Sequence, residues 1–217
     1  MNPSTPTFRI YPFDHEPIAF DFRQSVERFH VEELPLFWPS GRGQWLILTI
    51  RKRDMSTYKL LSVLKKATGA DDREIGYAGL KDKNATTLQR ISVPLRYEKG
   101  LKNLKTERIE VLGIERNHQP IGIGKLAGNT FEIVLEKLAP EDFPRFRRAL
   151  ETLGKEGFPN HFGYQRFGSD GESWKQGREI AHSGKRLHGA KERLLVAAWQ
   201  SRLFNDWLNE RIRLSKI

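Results

Sequence analysis

The chain has 217 residues, 38% of them hydrophobic and 29% charged, which supports one large domain or one domain with part of another and argues against disorder. Lys and Arg outnumber Asp and Glu by 37 to 27, a formal net charge of +10 that favours polyanions, nucleic acid first and an anionic membrane second. The absence of cysteine excludes disulfides, thiolate metal sites and thiol nucleophiles.

Residues 1–18 are polar and carry Pro3, Pro6, Pro12 and Pro17, the composition of a loosely held N-terminal arm. Phe20 to Glu33 is strand-like, with Phe29 and Val31 alternating with polar neighbours, and a turn-rich connection from Pro35 to Gly43 follows. The apolar run Trp45–Ile50 suits a strand buried on both faces. A helix follows, capped by Asp54 or Ser56, with an apolar stripe of Leu60, Leu61, Leu64 and Ala67 and a stop at Gly69. Ile75–Leu80, Thr87–Pro94 and Arg108–Ile114 read as extended segments. Phe131, Ile133 and Leu135 give another strand one apolar face, and Phe143, Phe146, Leu150 and Leu153 recur at helical spacing. The glycine- and aromatic-rich segment 157–168 then leads into a more helical, more basic region whose last helix carries a broad apolar face. Mixed strands and helices predict an α/β or α+β domain.

Three segments can carry chemistry. In Gly76–Gln89 a strand delivers Asp82 into a turn between Lys81 and Lys83. Neighbouring cations favour the ionised carboxylate, so the spacing suits a nucleophile or base, and equally a solvated charged turn. In Gly128-Asn129-Thr130-Phe131 the glycine permits close approach of another backbone, the amide offers a donor and an acceptor, and the ring can stack on a base or fill the core. Phe29, within Glu27–Glu33, has the same two possibilities. The histidines show no HExxH spacing, and neither a Walker loop nor a Rossmann fingerprint is present. No signal peptide is visible and no apolar stretch approaches the roughly 20 residues that span a bilayer, so a soluble, cytoplasmic protein without membrane contact is expected.

In this order the segments resemble the TruD family of tRNA pseudouridine synthases: Glu27-Arg-Phe-His-Val-Glu-Glu33, Gly76–Gln89, Gly128–Phe131, Pro159–Gly168 and Ala197–Asn205. The resemblance implies an α+β fold, a pseudouridine synthase core with a mixed, largely antiparallel sheet flanked by helices. Residues 1–155 would form the N-terminal part of that catalytic domain and residues 156–217 the beginning of a helical or α+β insertion (TRUD) domain. It implies isomerisation of uridine 13, in the D arm of tRNA, to pseudouridine after base flipping, without metal or other cofactor. Asp82 matches the catalytic aspartate; it could add to uracil C6, attack ribose C1′ or remove a ribose proton. Phe29, Asn129 and Phe131 match residues that contact the base, and Lys81 and Gln89 are expected to bind the substrate with them. Arg23 matches a basic residue that would pair with the aspartate. Lys83, Arg51, Lys52, Arg53 and Arg166, with Lys65, Lys66, Lys185 and Arg186, are expected on the tRNA backbone. Family members continue past this point with a Gly-Ser-aromatic-Ala-Thr segment that has no match here. The alternative is therefore an RNA-binding fragment without turnover; a DNA-binding domain is a third reading, without a visible helix-turn-helix.

Overall fold

The computed structural model describes residues 17–101, 104, 106–168 and 170–214, so most of the expected N-terminal arm lies outside the described residues. The elements in chain order are β1 (Phe29–Pro35), β2 (Trp45–Arg53), α1 (Thr57–Thr68), β3 (Gly76–Tyr77), β4 (Thr86–Pro94), α2 (Glu98–Leu101), β5 (Ile109–Asn117), β6 (Leu126–Ile133), α3 (Phe143–Glu156), α4 (Ser173–His182) and α5 (Gly189–Arg213). They fall into two compact units, 19–139 and the remainder, which holds everything from Pro140 onward. Helix α3, assigned from sequence to the first domain, groups with the second unit.

The first unit is a mixed sheet in the order β5-β2-β4-β1-β6, with β3 pairing alongside β4. Only β1 and β4 run parallel; the other pairings are antiparallel, as the expected architecture requires. Strand β2 is buried on both faces through Leu46, Ile47, Leu48 and Ile50, which is why its sequence shows an unbroken apolar run. Helix α1 begins where Ser56 Oγ accepts from Lys59 N at 3.2 Å and ends at Gly69, whose φ of 76° is left-handed. It drives Leu60 and Leu64 into a core formed with Leu46, Leu48, Ile50, Ile91 and Val93. Burying such a side chain contributes roughly 1.5–3 kcal/mol. Ala67, placed in the apolar stripe by spacing, is exposed.

Elsewhere the boundaries differ from the sequence pattern. The strand expected over Phe20–Glu33 begins only at Phe29; before it, Asp21 makes an isolated bridge to Glu136. Ile75–Leu80 is extended in strand form only at Gly76–Tyr77. At Gly76 a Cβ would stand 2.2 Å from the carbonyl oxygen of Ile121, so a side chain there would displace backbone. Gly128 shows no comparable approach: an added Cβ would meet Leu34 at 3.9 Å, an ordinary contact.

In the second unit, α4 and α5 cross closely, and a Cβ on Gly177 would lie 1.9 Å from Leu195 O. Trp174 stacks on Trp199 at 5.9 Å between ring centres. The buried Asn205 on α5 clamps the segment 159–168 by accepting from Phe162 N at 2.9 Å and donating to Phe162 O at 3.0 Å. Among the described residues no helix is long and apolar enough to cross a membrane.

Candidate active site

Strand pleating decides which residues of the first unit can meet. Side chains two apart on a strand, and those of directly paired residues, share a face. Val31 pairs with Thr87 on β4 and with Phe131 on β6, Glu33 pairs with Asn129, and Lys52 pairs with Thr87. Phe29, Val31, Glu33, Lys52, Thr87, Gln89, Asn129 and Phe131 therefore lie on one face, the face that α1 also covers further along the sheet.

The turn carrying Asp82 crosses that face and is bonded to it residue by residue. Gln89 Nε2 donates to Gly79 O at 2.7 Å. Lys81 N donates to Thr57 Oγ1 at 2.9 Å, and Thr57 Oγ1 in turn meets Gln89 Oε1 at 3.2 Å. Lys81 Nζ pairs with Glu33 Oε2 at 2.8 Å, both side chains almost wholly buried. Lys52 Nζ donates to Asp82 O at 2.9 Å and to Met55 O at 2.6 Å. Burial pushes the Lys52 ammonium down from 10.5 to about 8, against the pull of Asp82 in the other direction and with a further lowering by Lys81. Asp82 itself, Lys83 and Asn84 are exposed.

On the same sheet face, the rings of Phe29 and Phe131 lie 5.9 Å apart, and Phe22 meets Phe29 edge-on at 6.1 Å. Phe131 is 54% exposed although its strand reads as having a core face, because β6 is the sheet edge and nothing described covers that face. Asn129, its neighbour two residues back on the same face, is exposed as well. The arrangement offers an open aromatic surface, an amide edge and a carboxylate on a rigidly held turn.

The remaining expected site residues divide. Lys81 and Gln89 are buried and hold the turn rather than facing solvent. Lys52, expected on the tRNA backbone, is fully buried; the two-residue period of β2 turns it inward while Arg51 and Arg53 emerge, exposed, on the opposite face. Arg51 there pairs with Glu110 at 2.7 Å. Arg23 is exposed and, among the described residues, makes no ion pair with Asp82; its charge acts instead on Asp21, whose carboxyl is lowered chiefly by Lys137. Lys65 pairs with Asp72, while Lys66, Lys185 and Arg186 are exposed. Arg166 belongs to the second unit, its guanidinium 5.2 Å from the Phe162 ring centre. No group of three or more His, Asp or Glu among the described residues could hold a metal ion.

The family model for tRNA pseudouridine synthase D (TruD) matches residues 7–183. The chain belongs to the TruD family. This TruD chain is 47% identical over 210 residues to the tRNA pseudouridine synthase D of Wolinella succinogenes, covering 96% of this chain and 58% of that protein. It is 46% identical over 211 residues to that of Nitratiruptor sp., with 96% and 58% covered, and 40% identical over 226 residues to that of Helicobacter hepaticus, with 100% and 59% covered. The chain thus spans a little under three fifths of these relatives. A crystal structure of a TruD protein from Methanosarcina mazei superposes with a TM-score of 0.70 at 24% identity, over 97% of this chain and 57% of that one, which shows the shared fold.

Sequence reading of the TruD chain missed Phe22, Thr57 and Glu33 as members of the cluster. Glu33 sits inside a segment that the resemblance already singled out, and its inward position follows from alternation with Val31. Thr57 carries no local signal, since its role depends on a turn that returns 24 residues later.

Proposed function

We propose that the protein of which this chain is part isomerises uridine to pseudouridine in tRNA, at position 13 in the D arm, with Asp82 as the reacting carboxylate. The supporting observation is the convergence on one sheet face of an anchored Asp82 turn with the exposed Phe131, the half-buried Phe29 and the amide of Asn129. The reaction breaks the C1′–N1 bond and forms C1′–C5; uracil N1 gains a proton and C5 loses one, so no oxidant or co-substrate is consumed. The protein must then hold an extruded base through the step, at an unstacking cost of a few kcal/mol. Phe131 and Phe29 provide ring contact, each stacked base contributing roughly 1–3 kcal/mol. Asn129 can donate to and accept from the uracil edge and so keep the detached base in register. The excess of cations suits tRNA, with phosphate contacts positioning the substrate rather than reading its sequence.

The test is to incubate the full-length protein with unmodified tRNA and map pseudouridine by carbodiimide labelling and primer extension. The reading requires a single new labelled site, pseudouridine at position 13. Labelling at another position, or none while tRNA is bound, would reject it.

A further inference from the structure

We propose that Lys52 is the positioning residue of the Asp82 turn: its buried ammonium, held between the carbonyl oxygens of Met55 and Asp82, fixes where the reacting carboxylate stands. The inference rests on the reading of Asp82 given above.

Lys52 occupies an inward position of β2, paired with Thr87 on one side and Ile109 on the other, and its side chain has no solvent exposure. The same face of the strand carries Leu48 and Ile50 at the preceding inward positions, both fully buried. Packing alone would be served by another aliphatic residue. A lysine here costs stability, because its charge leaves water and its hydrogen bonds go to backbone carbonyls rather than to a carboxylate.

Gln89 and Thr57 bond the turn at Gly79 and Lys81, and Glu33 holds the Lys81 side chain. Among the described residues, Lys52 is the side chain that bonds Asp82, at 2.9 Å from its carbonyl oxygen. The other anchor point, Met55 O at 2.6 Å, lies in the segment that leads into α1. The ammonium therefore ties the reacting turn to the rigid start of a helix and to the centre of the sheet at once. The charge of Asp82 in turn favours the ionised form of the Lys52 ammonium. Methionine, nearly the same shape, would keep the packing and lose both effects.

The experiment uses the full-length protein under single-turnover conditions with unmodified tRNA, comparing wild type, Lys52→Met and Asp82→Asn. Lys52→Met is expected to slow pseudouridine formation about 100-fold, the penalty of misplacing a reacting group by about 1 Å. Its tRNA affinity and cooperative melting should be retained. A wild-type rate in Lys52→Met beside an inactive Asp82→Asn overturns the role of Lys52 and leaves that of Asp82 intact. Activity in Asp82→Asn overturns the reading beneath both. Should Lys52→Met fail to melt cooperatively, the wild-type rate from pH 7 to pH 9 decides. Asp82 and Lys81 are the charged groups that bear on Lys52. Loss of rate as its ammonium deprotonates supports the proposal, and a flat profile overturns it.

Discussion

Removing Glu33 should be among the most damaging single changes to the first unit. Its carboxylate and the Lys81 ammonium are 2.8 Å apart, with side-chain exposures of 2% and 4%, and its other oxygen accepts from Arg90 N at 3.2 Å. At an effective dielectric of about 20 the attraction at that separation is about 6 kcal/mol, much of it offset by the cost of desolvating both groups. Glu33→Leu removes the attraction and leaves the cost on Lys81, so it should destabilise by about 3–5 kcal/mol. For a chain of this size that lowers Tm by roughly 6–20 °C. Lys81→Met should cost a similar amount by stranding the carboxylate. The double variant Glu33→Leu/Lys81→Met buries neither charge and should recover most of the loss. Thermal and urea unfolding of the four proteins, combined as a double-mutant cycle, measures the coupling. Single losses below about 1 kcal/mol, or strict additivity, would mean that water reaches the pair and that it does not hold the turn.

Other predictions are simpler. Phe131→Ala, at an exposed edge-strand position, should change stability by less than about 1 kcal/mol yet slow single-turnover pseudouridine formation by roughly 5- to 150-fold, the equivalent of one lost base stack. Gly76→Ala forces a Cβ to within 2.2 Å of Ile121 O and should cost about 1–3 kcal/mol in thermal unfolding; an unchanged Tm would show that the backbone yields freely. Lys52 loses its proton near pH 8 in the folded protein but near 10.5 when unfolded, so between those values the unfolded state binds more protons and this residue's contribution to stability rises with pH. Between pH 8 and pH 10 the rise should be roughly 2 kcal/mol, and denaturation midpoints at those two values should show it in wild type and not in Lys52→Met.

Much of the first unit was legible because local physics and tertiary structure agree there. The run Trp45–Ile50 has no polar alternation because β2 is covered on both sides, and Ser56 and Gly69 mark the helix ends with hydrogen-bonding and conformational signals of their own. The segment Ile75–Leu80 misled because its apolar pattern promises a strand, whereas the backbone of the turn is bonded by Gln89 and Thr57 side chains that arrive from elsewhere in the chain. Arg51-Lys52-Arg53 looks like a uniform basic run; the strand period that separates its middle member from the other two was present in the sequence and outweighed by the charge. Phe131 shows the converse. Its alternation is that of a core strand, but whether an apolar face is covered depends on strand order, which places β6 at an edge. The Asp82 turn itself was found through its motif, and its buried supports emerged only when the register of β1, β2 and β4 was known.

Whether the Asp82 carboxylate acts on a uridine held beside Phe29, Asn129 and Phe131 is read most directly from the single-turnover rate of pseudouridine formation by full-length Asp82→Asn, a change that preserves shape and removes the negative charge. The rate should fall by at least about 1,000-fold while tRNA binding and melting temperature stay at wild-type values. Pseudouridine formation within a few-fold of wild type would show that the reacting group lies elsewhere.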